Sequence, residues 1–343
     1  MRLALRAARA TLWHGRALRR WMAVVFELQS RGVIRDLPGE YLRAVRPYVH
    51  RPTGVGARVV QLIDHVDWME TAFERQAFEQ LASGQPLVLA ELPARRGYEY
   101  IRLQLRRTAS QSPEGELLLT LTVLRAPEVQ QKAKPMDLAA LGFSRFRVAG
   151  AACLVIGGVR GQRHAALRLS PVEVNQALHG WNPAVLMVRV AQELARFWGL
   201  HLLGLDPRSH QLQGWTYRLN KRSRISAQRL CESYEALWRH FEAKPGPDGW
   251  VVLPLNSDEK LASVALSPEK RVRQIRRADY WIRTRNLLRA NLRRLLKRPS
   301  IEARTSRVTE AMTLDGADDD QPFQSGEDLV PSHILETGPG SLV

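Results

Sequence analysis

Two glycine-containing segments near the middle of the chain carry residue types that could hold an anion. The first follows an apolar run and contains Gly157, Gly158, Gly161 and Gln162. Glycines let a backbone approach a ligand closely, and they also mark a bulge or turn at the end of a buried strand. The second segment is His179-Gly180-Trp181-Asn182, directly before Pro183. An imidazole beside a helix N-terminus could contact a phosphate or a carboxylate; the structural alternative is a histidine that hydrogen-bonds its own loop.

Candidate groups for proton transfer lie further along the chain. His210, in a loop rich in basic residues, could be a general base or an anion ligand, and the alternative is a solvated loop histidine. Tyr234 and Trp238 are one helical turn apart, a spacing that is also typical of core aromatics. We find no pair of carboxylates on the expected central strand to serve as a base.

The two cysteines, Cys153 and Cys231, limit the chemistry further. Two thiols cannot build a disulfide scaffold or a four-thiolate zinc site from one chain, and we predict no metal site. Cys153 lies inside an apolar strand, and Cys231 has no histidine at a diagnostic spacing, so neither is expected to be a nucleophile. Reduced thiols indicate a cytoplasmic protein.

The charge of the chain is strongly basic and unevenly distributed. Lys and Arg number 51 against 34 Asp and Glu among 343 residues, a formal net charge of +17. Residues 301–343 contain nine acids and two arginines, so this tail is −7 and the first 300 residues are +24. Such a body attracts polyanions: nucleic acid, an anionic lipid surface or a phosphate-bearing cofactor. The longest apolar run, 149–159, is shorter than the ~20 residues of a membrane-spanning helix.

The periodicity of apolar residues predicts an α+β fold, in which N-terminal helices precede a mixed sheet. Residues 1–84 read as a helical region, and 87–92, 98–106 and 116–124 alternate like three strands of an antiparallel meander. We interpret 125–142 as a connector and 143–148 as a short strand. Residues 153–159 and 201–205 are apolar like buried strands, and a helix over 185–198, capped by Asn182, joins them. A strand, a helix and a strand predict a parallel crossover.

The C-terminal part divides into a basic helix and an acidic tail. Residues 268–297 form a basic amphipathic pattern with only Glu269 and Asp279 as acids. We consider three roles: docking on anionic lipid at the inner membrane face, nucleic-acid binding, and packing with solvated arginines. No motif for sequence-specific nucleic-acid binding accompanies it. We predict an α/β domain over 85–298 and a disordered tail over 299–343.

The chain resembles the VirK/YbjX family of bacterial proteins over roughly residues 15–295. The blocks that carry the resemblance are LVIGGVRGQ (154–162), ALHGWNP (177–183), His210, SYEALW (233–238), DGWVVLP (248–254) and the basic pairs at 270–271 and 276–277. The resemblance implies a role in cell-envelope properties, virulence or tolerance of antimicrobial peptides, and it implies no reaction. The protein partner is unknown.

The element order is similar to that of the acyl-CoA N-acyltransferase fold. This second resemblance implies acyl or aminoacyl transfer to an amine, from acyl-CoA or another phosphate-bearing donor. The donor's phosphates would be held by Gly157, Gly158, Gly161, Gln162, His179, Gly180 and Asn182, while Tyr234 and His210 handle protons. The alternative is a non-catalytic accessory protein whose basic surface docks on anionic lipid or on a protein partner.

Overall fold

A computed structural model of the chain describes residues 2–46, 50, 52–93, 98–109, 112, 114–125, 135–161, 171–210, 213, 221–255 and 267–297. The predicted α+β class, with N-terminal helices before a mixed sheet, is confirmed. The predicted acidic tail lies outside the described residues.

Four helices form the N-terminal region: α1 (Arg2–Ser30), α2 (Leu37–Val45), α3 (Val55–Ala72) and α4 (Arg75–Ala82). The Asp36 carboxylate accepts a hydrogen bond from the Gly39 N–H at 2.9 Å, which fixes the start of α2. The Trp21 indole of α1 is fully buried and donates to the Glu40 carbonyl at 2.8 Å. The helices therefore pack through one apolar stripe of α1 and a small number of buried polar contacts.

Eight strands form one sheet in the order β1-β2-β3-β4-β5-β6-β8-β7. All neighbouring pairs are antiparallel except β5 and β6, so the predicted meander and the predicted parallel crossover are both present. The strands are β1 (Leu87–Pro93), β2 (Tyr98–Arg107), β3 (Leu117–Arg125), β4 (Pro135–Val148), β5 (Ala151–Gly161), β6 (His201–Leu205), β7 (Lys244–Pro245) and β8 (Trp250–Leu253).

Strand β4 corrects the interpretation of residues 125–142 as a connector. The strand begins at Pro135, and Leu121 of β3 pairs with Ala139 on its first half. Residues 138–143 are buried between two neighbouring strands and beneath packed side chains on both faces. The first half of the strand, PMDLAALG (135–142), contains Pro, Asp, Gly and two Ala but no β-branched residue, a composition that disfavours a strand and indicates a connector.

In the described part of the chain, four helices follow the meander: α5 (Pro171–Ala177), α6 (Pro183–Trp198), α7 (Lys221–His240) and α8 (Pro268–Leu295). The predicted cap of α6 is confirmed, because the Asn182 side chain accepts from the Ala184 N–H at 2.9 Å. Gly199 ends α6 in the left-handed conformation, with φ of 65°. Two short 3₁₀ turns, Pro207–Ser209 and Pro247–Gly249, stand next to β6 and β8.

One hydrophobic core includes residues on both sides of the predicted domain boundary at residue 84. It extends from Ala10 in α1 to Leu296 after α8. A second, smaller core covers the opposite face of the sheet and includes Phe146, Cys153 and Trp250. Burial raises the pKa of the Cys153 thiol, as expected for a core cysteine. None of the described helices combines the length and apolar character needed to cross a membrane.

Candidate functional site

The parallel strands β5 and β6 separate before β5 ends. Their pairing runs from Cys153–His201 to Ile156–Gly204. Beyond Ile156, β5 continues to Gly161 and, among the described residues, pairs only with β4. Gly142 pairs with Gly158 and Phe143 with Ile156, so Gly157 is the extra residue of a β-bulge. Among the described residues, no strand pairs over 157–161 with the edge of β5 that faces away from β4; we call this the β5 edge.

This geometry confirms the alternative in which the glycines mark a bulge near the end of a buried strand. Gly157 and Gly158 are buried inside β5, and Gly161 is its exposed last residue. A Cβ added at Gly161 would meet no atom of the described residues within 4 Å. Gln162 lies outside the described residues. The bulge and the open end are features through which a strand can present backbone groups to a ligand.

Tyr234 of α7 reaches the β5 edge. Its hydroxyl accepts a hydrogen bond from the Val159 N–H at 2.9 Å, and its side chain is buried. Burial raises the pKa of Tyr234 above its ordinary value of 10, so the hydroxyl keeps its proton at neutral pH. The hydroxyl accepts through oxygen and retains a proton that it can donate. The neutral hydroxyl can therefore donate a hydrogen bond to a bound group, and its raised pKa makes it a weaker acid than a free tyrosine.

A glycine in β6 allows α7 to approach the sheet. A Cβ at Gly204 would lie 2.8 Å from a ring carbon of Trp238. The Trp238 indole donates to the Leu205 carbonyl at 3.0 Å, and its ring centre is 5.6 Å from that of Tyr234. The i, i+4 aromatic pair is therefore packed, as the structural alternative predicted, while its tyrosine also contacts the open strand.

His210 lies beside Tyr234, with 6.4 Å between the ring centres in an edge-on arrangement. The histidine is buried, which overturns the expectation of a solvated loop histidine. Burial lowers its pKa to about 4, so the imidazole is neutral at physiological pH. The His210 backbone also forms a single antiparallel pair with His50. The structure thus brings together the two residues predicted for proton transfer.

Glu114, from the connection between β2 and β3, is a site residue that the sequence analysis missed. Its side-chain carbons cover Gly158, where an added Cβ would lie 2.7 Å from them, and also the neighbouring Gly142. Its carboxylate forms an ion pair with Arg160 of β5 at 2.5 Å. The Glu114 charge also acts on the pKa of Tyr234. The only available signal was its place in a Pro-Glu-Gly turn, because no local spacing links it to β5.

The side chains of the turn before α6 already contact other residues of the protein. His179 stacks on Tyr280 of α8, with 4.7 Å between ring centres, and the Trp181 indole donates to the Arg277 carbonyl at 3.0 Å. Gly180 has a φ of 92°, which glycine adopts without strain. The Asn182 side chain accepts from the Ala184 and Val185 N–H groups. These amides are therefore already satisfied at the predicted phosphate position.

A cavity of about 530 Å³ lies on the other side of the His210 loop. Its walls come from the segment before α3, the β4–β5 turn and the start of β8, and it is lined by His50, Thr53, Gln61, Arg147, Ser209, Asp248, Trp250 and others. The His50 ring stacks on Trp250 at 4.7 Å. Within the described part of the chain, no group of three His, Cys, Asp or Glu residues could hold a metal ion.

The fold and the site define a class of α+β protein in which two parallel strands separate and a buried tyrosine contacts one of them beyond that point. The chain belongs to DUF535, a family described as proteins of unknown function, whose model matches residues 2–298. This is the family that contains the VirK/YbjX proteins, so the first resemblance is confirmed at the level of the family. Comparison with curated proteins and with solved structures gives no match.

Proposed function

We propose that the protein transfers an acyl or aminoacyl group from a thioester donor to an amine at the β5 edge, with an acyl-CoA N-acyltransferase-like topology. The observation that carries this proposal is the hydrogen bond between the Tyr234 hydroxyl and the Val159 N–H, at the point where β6 has left β5. The protonated acid lies beside the β5 edge, with which no described strand pairs and where an extended donor chain can bind by backbone hydrogen bonds.

The order of the strands supports the same topology. A meander leads into β5, α6 crosses to the parallel β6, and α7 returns the chain to the hairpin of β7 and β8. Ligands in sheets with a parallel crossover commonly bind beyond the carboxyl ends of the strands, where neighbouring strands diverge. The bulge at Gly157 stands at this divergence. Fold similarity by itself implies no reaction, so the proposal depends on the side chains.

Only part of the predicted phosphate-binding site can accept the donor's phosphates. Among the described residues nothing lies within 4 Å of a Cβ added at Gly161, whereas the amides of Ala184 and Val185 are taken by Asn182. A phosphate would have to displace the Asn182 side chain to reach them. We therefore propose that the donor lies along β5 and past Gly161, with Asn182 retained as a helix cap.

The proposed step assigns one proton transfer to each of two side chains. The uncharged amine nitrogen forms a bond with the acyl carbon while the bond between that carbon and the donor's sulfur breaks. Tyr234 gives its proton to the leaving sulfur, and the Glu114 carboxylate accepts the proton released by the nitrogen. Proton return from Glu114 to Tyr234 restores both groups. His210, edge-on to the Tyr234 ring, is a positioning residue in this scheme.

The acceptor class follows from the family resemblance alone. VirK/YbjX-like proteins are connected with the bacterial envelope, virulence and tolerance of antimicrobial peptides. We propose that the acceptor amine belongs to a component of the envelope or its precursors. A strongly basic protein attracts anionic substrates, which is compatible with a phosphate-bearing donor.

The experiment compares two buried tyrosines. Tyr234→Phe should leave binding of acetyl-CoA, measured by calorimetry, within about twofold, and should lower transfer to an amine panel by about 10²–10⁴-fold. Tyr280→Phe is the matched control, because Tyr280 is equally buried but stands on α8 against His179. Gly161→Trp should abolish donor binding, because the indole fills the open end of β5.

Three results would refute the proposal. The first is that the protein neither binds acetyl-CoA nor transfers its acyl group to any amine of the panel. The second is that Tyr234→Phe transfers as fast as wild type, and the third is that Gly161→Trp binds the donor as tightly as wild type. Glu114→Gln tests the second assignment: transfer should fall by a similar factor while donor binding persists. Thermal melting of each variant separates loss of fold from loss of activity.

A further inference from the structure

Helix α1 exposes two large apolar side chains to solvent. Leu12 is 84% exposed and Trp13 is 76% exposed, while Leu18, Trp21 and Val25 of the same helix are buried against the protein. Exposed leucine and tryptophan side by side are unfavourable in water. Tryptophan is favoured at membrane surfaces, where its ring is buried and its N–H stays near water.

Four exposed arginines lie near this pair in sequence: Arg9 precedes it, and Arg16, Arg19 and Arg20 follow a kink of α1 at His14. None of them has an ion pair with a described acidic residue, and the first acid of the sequence is Glu27. The helix is therefore cationic as well as apolar on its exposed side. We call Arg9, Leu12, Trp13, Arg16, Arg19 and Arg20 the α1 face.

We propose that the α1 face docks the protein on an anionic phospholipid surface. Arginines around an apolar pair match a layer of negative headgroups above acyl chains, and both parts are needed for interfacial binding. A nucleic acid would satisfy the arginines but offers no apolar phase for Leu12. This surface is separate from the β5 edge, so the inference does not depend on the proposed function.

The location differs from the one expected from the sequence, which was the basic helix now called α8. The second half of α8 packs in the core through Leu288 and Leu292, and Leu296, directly after the helix, is also part of this core. Its first half also exposes Val272 and Ile275, at 46% and 52%. These two residues are less exposed than Leu12 and Trp13, and α8 contains Glu269 and Asp279. The first half of α8 thus supplies a matched control surface.

The test is sedimentation with vesicles of phosphatidylcholine alone or with 30% phosphatidylglycerol, a fraction of about one lipid in three chosen for strong negative surface potential. The full-length protein should bind only the anionic vesicles. Leu12→Ser/Trp13→Ser should weaken binding at least about tenfold, and Arg16→Gln/Arg20→Gln about 30-fold, from the usual contribution of each arginine near such a surface. Val272→Ser/Ile275→Ser should bind like wild type.

Each outcome decides the inference. Equal binding to both kinds of vesicle, no binding to either, or weaker binding only in the α8 control variant would overturn it. Tight binding to duplex DNA that survives Leu12→Ser/Trp13→Ser, together with no vesicle binding, would assign the arginines to nucleic acid. Because the substituted side chains are exposed, melting temperatures should match wild type, and binding loss reports the surface.

Discussion

The buried residue His65 should make the folding free energy fall in acid. His65 lies in α3, and its Nδ1 accepts the Arg145 backbone N–H at 3.0 Å. Burial, followed by the charge of Arg107, lowers its pKa from 6.5 to about 3. Below pH 6.5 the unfolded chain therefore binds a proton at His65, whereas in the folded chain His65 stays unprotonated until the pH approaches 3. The stability due to neutral His65 is complete above pH 6.5 and is lost as pH falls towards 3.

The size of this effect follows from the two pKa values. Between pH 8 and pH 5, a group that shifts from 6.5 to about 3 loses about 2 kcal/mol of unfolding free energy. His210, with its pKa lowered to about 4, adds a second loss of about 2 kcal/mol. Losses of this size are a large part of the ~5–15 kcal/mol that stabilises an ordinary protein.

The assay is urea unfolding of wild type and His65→Asn at pH 8, 6.5 and 5. The asparagine keeps an acceptor and cannot titrate in this range. It should lower stability at pH 8, through altered packing, but its further loss between pH 8 and 5 should be smaller than that of wild type by about 2 kcal/mol. His201→Asn, at an exposed position, controls for removal of a histidine. Parallel pH curves for wild type and His65→Asn would refute the reasoning.

Two further predictions concern packing at the site and between the helices and the sheet. Arg43 and Glu116 form a buried ion pair. Arg43→Leu should lower the free energy of unfolding in urea by about 3–5 kcal/mol, because it leaves a buried carboxylate unpaired. The same change at exposed Arg75 should have no measurable effect. Gly204→Ala should cost about 1–3 kcal/mol, since its Cβ would collide with a tryptophan ring of α7, whereas Gly161→Ala should be tolerated. Equal melting temperatures for the two alanine variants would contradict the close packing of α7.

Elements with a strong local signal were predicted well from the sequence. The cap at Asn182, the helix that follows it and the stop at Gly199 depend on residues adjacent in the chain, and all three are present. The same holds for the meander, where β2 alternates in polarity and β3 is a mostly apolar run. The first half of β4 was missed because it contains Pro135, Asp137 and Gly142, residue types that are depleted in strands. Its strand structure depends on pairing with β3 and β5, which the local sequence does not reveal.

The candidate site was only partly predictable for a related reason. Tyr234 and His210 were predicted as site residues from their residue types, and in the fold their ring centres lie 6.4 Å apart. Glu114 was missed because its contact with Gly158 joins positions 44 residues apart through the neighbouring strands. Burial of His210 likewise comes from the segment containing His50, far away in sequence. Contacts of this kind depend on strand register, which residue spacing does not reveal.

The residues that directly follow β6 explain why β5 and β6 separate. Pro207 follows β6 after one residue and has no N–H to donate to a ladder, so pairing with β5 cannot continue through it. Asp206 then bends the chain, because its side chain accepts from the Arg208 N–H at 2.9 Å and its own N–H donates to the Gly249 carbonyl. Strand β5 continues without β6 because β4 still pairs with it. No described strand accepts the Val159 N–H, which donates instead to the Tyr234 hydroxyl. The residues that end β6 therefore also determine where the candidate acid lies.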